Sequence, residues 1–390
     1  MSRFHSYIAS ASKIISTYPA GKPLAIHIKA FFAADKKFGS KDRRSIASLC
    51  YYYFRVGLAF KKHTVEEKIL TGLFLCENTG NEFLRAFRPD LDGKAGLSFK
   101  EKTSLLNTTT TDLFPFTDEL GGDIDKEFFA QSFLKQPKTY LRIRPGRKNS
   151  VLDKLKAASI DFELINESCL QLENNIAADK ILKLDKEAVV QDRNSQMVLH
   201  YLENAPGLLS APKKITSWDC CAASGGKSIL LYDKLKGNIQ LTVSDIRENI
   251  LLNLQKRLRQ AGININRSLV SDLSVSSQLA EEEEFSIIIC DVPCTGSGTW
   301  SRSPEQLYHF DQKMIKTYVE RQQKIISNTI PHLNTGGLFF YITCSVFKKE
   351  NEEMAAYIQE KFHLRLMQME YLKGYEMAAD TMFVAVFQLN

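Results

Sequence analysis

From about Val189 onward the chain repeats one pattern, a short apolar run followed by an amphipathic one, and that pattern leaves few folds open. Strand-like runs stand at Thr216–Cys221, Gln240–Asp245, Ser268–Asp272, Phe285–Cys290 and Leu338–Tyr341, with helix-period segments between them. Strands separated by helices imply βαβ units and a parallel sheet covered on both faces. The end breaks the rule. His363–Glu370 and Met382–Leu389 are strand-like runs joined by a loop without a helix, so the sheet should close with an antiparallel hairpin. The expectation is an α/β fold with seven strands.

At 390 residues the chain is too long for one ordinary core. Residues 1–134 read as helical throughout, with periodic runs at Tyr7–Tyr18, Leu24–Ala34, Arg43–Phe60, Val65–Cys76 and Glu127–Leu134 and with Ser40 as a helix N-cap. The run Cys50–Phe54 reads as a buried helix face. Gln136-Pro137 marks a change of character. Thr139–Arg144 alternates like a strand, Val151–Ala158 like a short helix, and Phe162–Leu172 like one or two more strands. The expected domains are therefore an all-α region over 1–134, a small α/β segment over 135–188, and the main sheet over 189–390.

Charge divides along the same line. Residues 1–150 hold 25 Lys+Arg against 15 Asp+Glu, and the other 240 hold 26 against 30. A basic first part on a slightly acidic remainder suits polyanion binding, although ordinary solvating charge produces it too. Arg142, Arg144, Arg147 and Lys148 cluster in the small α/β segment, where they either grip phosphates or form the exposed face of an edge strand. No run approaches the roughly 18 apolar residues of a membrane helix. The first 34 residues carry Arg3, Lys13, Lys22 and Lys29 and no acid, but they run without a break into helix-patterned sequence, so a first domain helix is expected there rather than an organellar leader. Eight cysteines without a secretory pattern, with Cys220 and Cys221 adjacent and no CxxC pair, suit a reduced cytoplasmic protein without structural zinc.

Ligands of open α/β sheets bind at strand C-termini. After the first strand comes Trp218-Asp-Cys-Cys-Ala-Ala-Ser-Gly-Gly-Lys-Ser228, in which small residues and paired glycines open a helix. Backbone can approach a ligand closely there, and N–H groups at a helix start favour polar or anionic groups. Lys227-Ser228 invites a P-loop reading, but a Walker loop needs glycine at the position of Cys221, and GxGxxG is absent as well. Asp245 ends the second strand, placed for ribose hydroxyls, and Asp272 ends the third, within reach of an adenine. A Gly-rich loop followed by acids after strands two and three suits an adenosine without a polyphosphate, which points to S-adenosylmethionine. The cofactor set is Cys221, Ala222, Ala223, Ser224, Gly225, Gly226, Lys227, Asp245, Asp272 and Asp291.

Two thiols complete the edge: Cys294 in Asp291-Val-Pro-Cys-Thr-Gly-Ser-Gly298, and Cys344 in Tyr341-Ile-Thr-Cys-Ser-Val346. These runs, with Asp219–Ser228, Ser301-Arg-Ser-Pro-Glu305, the Glu350-Asn351 pair and Val190–Gln196, resemble the RsmB-like (Fmu/Sun) RNA cytosine-5 methyltransferases. The resemblance spans nearly the whole chain, and Phe38–Arg44 is similar to the NusB-like domain of bacterial members. Ser224 stands where that family has Pro, and Val292 where it has Ala. The resemblance implies a Rossmann-like methyltransferase sheet, S-adenosyl-L-methionine as cofactor, Cys344 as nucleophile, and Cys294 as the thiol assisting release.

The chemistry gives two thiols separate work. Carbon 5 of cytosine is a poor nucleophile until a thiolate adds to carbon 6 and makes the ring an enamine, which splits one hard step into easier ones. Asp291 is placed to protonate or hydrogen-bond the ring nitrogen. DNA cytosine-5 methyltransferases attack with a Pro-Cys thiol, which leaves Cys294 as the alternative nucleophile. The target base must be flipped or already single-stranded. Ribosomal RNA is the expected substrate and transfer RNA the runner-up, with a monomer acting without metal or membrane. A catalytically silent RNA-binding assembly factor is the competing class.

Overall fold

A computed structural model describes residues 3–174, 176–204 and 213–390. The chain divides into two units, one of residues 1–120, 125–137 and 299–312, the other of residues 121–124, 138–298 and 313–390.

The first strand of the second unit is Thr139–Ile143 (β1), followed by Phe162–Leu164 (β2), Cys169–Leu172 (β3) and Ala188–Val190 (β4). They pair antiparallel in the order β2-β3-β1-β4, with the helix Lys148–Ala157 laying Val151 and Leu155 on Leu141, Ile143 and Leu170. Asn166 divides the Phe162–Leu172 run, because its side-chain oxygen accepts the N–H groups of Ser168 and Cys169, both at 2.9 Å. β1 is an inner strand, which corrects the reading of the arginine cluster. Arg142 and Arg144 are buried on Asp233, at 2.5 and 2.7 Å, and Arg144 also donates to the carbonyls of Asp185 and Ala261. Neither is a free phosphate grip; together they fasten the small sheet to the helix Gly226–Lys234.

The main sheet contains Ile215–Asp219 (β5), Ile239–Asp245 (β6), Arg267–Val270 (β7), Phe285–Asp291 (β8), Leu333–Thr343 (β9), Arg365–Leu372 (β10) and Met382–Gln388 (β11). Its order is β10-β11-β9-β8-β5-β6-β7, and β11 pairs antiparallel with both β9 and β10, so the closing hairpin is present. The five strands β5 to β9 pair parallel. Strands covered on both faces are apolar at consecutive rather than alternate positions. Ile287, Ile288, Ile289 and Cys290 of β8 and Phe339–Ile342 of β9 are all fully buried. The helices Gly226–Lys234, Glu248–Gln260, Lys313–Ser327 and Glu352–Phe362 lie between or after these strands in sequence. This is the seven-stranded, Rossmann-like α/β arrangement.

The other unit is helical. Arg3–Ser16, Leu24–Ala34, Ser40–Arg55 and Val65–Cys76 pack around Ile8, Ile14, Ile28, Phe32, Leu49 and Phe54. Gly39, not Ser40, is the N-cap of the third helix, and its N–H is taken up by the Asp42 carboxylate at 2.9 Å. Cys50, Tyr53 and Phe54 are buried, while Tyr51 and Tyr52 are half-buried. Between Cys76 and Asp125 the helices are short, because caps recur: Asn81, Ser98 with Glu101, and Thr109 with Asp112. Residues 299–312 join this unit: Arg55 donates to the Ser301 carbonyl (3.1 Å), and the Glu305 carboxylate accepts the Leu24 N–H (3.1 Å). Among the described residues no helix is long and apolar enough to cross a membrane.

Candidate active site

The C-terminal ends of β5, β6, β8 and β9 surround a cavity of about 400 Å³, lined also by the turn after β7. β5 stops at Asp219, so Cys220–Gly225 form a turn rather than extending the strand. Ser244 holds the turn from beneath: its hydroxyl accepts the Trp218 indole N–H (2.9 Å) and donates to the Cys220 carbonyl (2.8 Å). Gly225 caps the following helix at φ +84°, and a Cβ there would sit 3.0 Å from Leu254, so the residue satisfies both backbone and packing.

The expected cofactor residues separate into two groups. Cys221, Ala223, Asp245, Asp272 and Asp291 line the cavity. Ala222, Ser224, Gly225 and Gly226 do not. The Ala222 N–H is bonded to the Ser244 carbonyl, and Ser224 receives the Arg257 guanidinium. Lys227 does not line the cavity but forms an ion pair with Asp291, which does. Burial works against its ammonium, but the Asp291 carboxylate outweighs that and leaves the pKa above the ordinary lysine value.

Asp245 is 6% exposed and accepts from the Ala223 N–H (3.0 Å) and from the Arg247 N–H and guanidinium (both 2.9 Å). Burial pushes its pKa up, but the Arg247 bonds more than compensate and hold it low. Asp272 is held low by the Ser274 hydroxyl, 2.6 Å away. Asp219 differs. Burial lifts it to about 7 despite the hydroxyl of Ser228, and its Oδ1 is buried without a hydrogen-bond partner.

The two thiols meet. Cys294 Sγ lies 3.4 Å from Cys344 Sγ, and both cysteines are free and partly exposed in the cavity wall. Gly298 makes this approach possible: a Cβ there would stand 2.0 Å from the Thr381 carbonyl oxygen and 3.0 Å from that of Cys344. Its N–H instead donates to the Cys344 carbonyl at 2.8 Å. The hydrogen bond with Cys344, then burial, raises the Cys294 thiol well above the ordinary range. Two thiolates at this separation would repel by roughly 5 kcal/mol even at an effective dielectric of 20. Burial likewise pushes Cys220 and Cys290 up.

Sequence reasoning missed Arg247, which orients Asp245, and Arg321, which lines the cavity from the helix Lys313–Ser327. Ile246, Leu273 and Ile325 add apolar wall, and Ser271 presents a buried hydroxyl without a partner. No cluster of three or more His, Cys, Asp or Glu able to hold a metal occurs among the described residues.

Residues 208–386 match the family described as 16S rRNA methyltransferase RsmB/F. A probable ribosomal RNA small subunit methyltransferase B of Bacillus subtilis (strain 168) is 28% identical over 231 residues, 57% of this chain and 50% of that protein. The ribosomal RNA small subunit methyltransferase B of Escherichia coli (strain K12) is 29% identical over 178 residues, 45% of this chain and 39% of that protein. The chain thus matches half or less of the length of these relatives. Among solved structures, PH0851 is similar with a TM-score of 0.72 at 16% identity, covering 98% of both chains. NSun6 from Pyrococcus horikoshii, solved with SFG, has a TM-score of 0.59 at 13% identity, covering 70% of this chain and 96% of that one. At these identities the two structures bear on the fold alone.

Proposed function

We propose that this protein is an S-adenosylmethionine-dependent RNA cytosine-5 methyltransferase acting on small-subunit ribosomal RNA. The observation that carries the reading is the pair of thiols 3.4 Å apart at the sheet edge, beside the Lys227–Asp291 ion pair. Binding alone has no use for that arrangement. The relatives are ribosomal RNA small subunit methyltransferases by name, which favours ribosomal over transfer RNA.

The cavity suits the cofactor. Asp245 offers a carboxylate with its charge already fixed by Arg247, Ile246 and Leu273 are flat apolar surface for a base, and the unsatisfied Ser271 hydroxyl awaits a polar partner. Asp245, Asp272 and the Cys221–Ala223 turn would hold it. When bound, S-adenosylmethionine supplies an electrophilic methyl group.

The division of labour between the thiols follows from their surroundings. The hydrogen bond with Cys344 and burial raise the Cys294 thiol, the Glu350 carboxylate adds to them, and Cys294 therefore retains its proton. Cys344 is therefore the nucleophile toward carbon 6 of cytosine. Cys294 keeps a proton beside it and serves the later step in which carbon 5 loses its hydrogen and the thiol departs. Asp291 faces the same cavity and hydrogen-bonds the base edge, its charge balanced by Lys227.

The helical unit and the basic first 150 residues serve as the RNA grip, in the manner of a NusB-like domain, through sequence-independent phosphate contacts. We assign the protein to the cytoplasm, where it acts as a monomer on single-stranded or flipped cytosine. The test is a pair of variants. Cys344→Ala abolishes methyl transfer, and Cys294→Ala accumulates a covalent protein–RNA band on a denaturing gel. Full turnover by Cys344→Ala would overturn the mechanism, and a band from Cys344→Ala would exchange the two roles. Bisulfite sequencing of RNA from cells with and without the protein locates the target; no lost methylcytosine would leave a binding factor instead.

A further inference from the structure

One carboxylate stands behind both thiol loops. Glu350 is 0% exposed, and its Oε1 accepts the Thr295 N–H (2.9 Å) and the Gln322 amide (3.1 Å). Its Oε2 accepts two hydroxyls, those of Thr295 and Ser345, each at 2.6 Å. Thr295 follows Cys294 directly, and Ser345 follows Cys344 directly. Gln322 also donates to the carbonyl of Pro293, the residue before Cys294, at 3.1 Å. The Cys294 loop is thus held on both sides of its sulfur, and the same carboxylate holds the Cys344 loop.

Packing does not explain such a group. A fully buried carboxylate is costly unless its lone pairs are taken up, and an apolar side chain of similar volume fills the same space at lower cost. Burial pushes this one above the ordinary glutamate range, against the pull of Ser345, Thr295 and Gln322. What an apolar residue cannot do is bond to two loops at once.

We propose that Glu350 is a positioning residue of the two-thiol chemistry: it ties the Cys294 loop to the Cys344 loop and sets the distance between the sulfurs. The catalytic meaning rests on the methyltransferase reading, whereas the tie itself is measurable without RNA. The measurement is the rate at which diamide converts free protein to the Cys294–Cys344 disulfide, read by alkylation and peptide mass spectrometry. Two S–H bonds are lost and one S–S bond forms, and the two hydrogens reduce the diazene to a hydrazine.

Wild type forms this disulfide quickly. Glu350→Ala slows it at least about tenfold, because all four bonds to the two loops and Gln322 are lost. Glu350→Gln keeps a carbonyl for Thr295 and Gln322, and the two hydroxyls can turn to accept from its NH2, so its rate stays within about threefold of wild type. Ser345→Ala removes the Glu350 bond to the Cys344 loop together with the Ser345 hydroxyl's contacts to Thr295, Ser297 and the Phe347 N–H, keeps the Thr295 and Gln322 bonds, and is intermediate, which serves if Glu350→Ala does not fold. A wild-type rate in folded Glu350→Ala, or in Ser345→Ala where the former is unfolded, overturns the proposal. On RNA, Glu350→Ala lowers kcat and leaves KM unchanged, and Glu350→Gln restores most of kcat; a change in KM alone would also overturn it. A slowed disulfide in a protein whose wild type never methylates RNA would defeat the methyltransferase reading and leave the tie standing.

Discussion

Asp219→Asn tests the electrostatics of the cofactor turn directly. The aspartate is fully buried, Oδ2 takes the Ser228 hydroxyl at 2.5 Å, and Oδ1 has no partner. Burial carries its pKa from 3.8 to about 7. That is about 3 pH units, or on the order of 4 kcal/mol against the ionised form. The folded pKa lies above the unfolded one, so the folded state holds the extra proton. The contribution to stability is present in full below the unfolded value and is lost as pH rises through 7. Part is already gone at pH 5, and roughly 2–3 kcal/mol disappears between pH 5 and pH 8.

Asparagine cannot ionise, so this loss vanishes from the variant. The substitution also places an NH2 against a buried, partnerless position, an offset of about 1–3 kcal/mol that does not depend on pH. The quantity to measure is the difference in unfolding free energy between variant and wild type, from urea titrations at pH 5, 6, 7 and 8. Every other titrating group, Glu350 included, cancels in that difference to first order. The variant should gain on wild type as pH rises, with most of the change by about pH 7. A difference that is flat across the range would refute the assignment of a neutral carboxyl to this turn, whatever the size of the offset.

Two other substitutions probe how the site is held. Asp233→Asn leaves Arg142 and Arg144 buried without their anion and should cost about 3–5 kcal/mol in a urea titration; a cost under about 1 kcal/mol would mean the arginines are solvated after all. Gly298→Ala drives a Cβ against the Thr381 carbonyl 2.0 Å away and shifts the Cys294 loop from Cys344. Turnover should fall about a hundredfold for a stability loss of about 1–3 kcal/mol, and unchanged turnover would show that the sulfur distance does not matter.

Local patterns in the sequence carried the catalytic half well. The five apolar runs became β5 to β9, and the loop without a helix became the antiparallel closure of β10 and β11. Apolar runs and turn residues act over a few positions, so a single sequence displays them. β4 escaped notice because it is three residues at the edge of the small sheet, too short for a period to register. The short helices between Cys76 and Asp125 merged into one helical stretch, since each is set by its cap rather than by a long apolar stripe. Arg142 looked like an anion grip because its partner, Asp233, is 91 residues away. Residues 299–312 fell within the expected main-sheet region of 189–390, but contacts made by Ser301 and Glu305 with Arg55 and Leu24 place them in the helical unit.

The same contrast explains what could be read of the site. Each thiol loop is conspicuous alone, since a Pro-Cys or Thr-Cys after an apolar run needs only its neighbours to be recognised. Their meeting at 3.4 Å is a fact about the order of strands: β8 and β9 pair parallel, so both C-terminal turns emerge at one edge. Parallel pairing alone spaces adjacent backbones by about 4.8 Å and leaves their turns free to diverge. Closing the sulfurs to hydrogen-bond range takes further contacts, and in this chain they include Gly298 against Cys344 and Thr381, Glu350 between Thr295 and Ser345, and the Ser297 hydroxyl against Ser345 and the Val346 N–H. Neither Gly298 nor Glu350 is reactive, which is why the sequence shows the thiols more plainly than the structure that makes a pair of them.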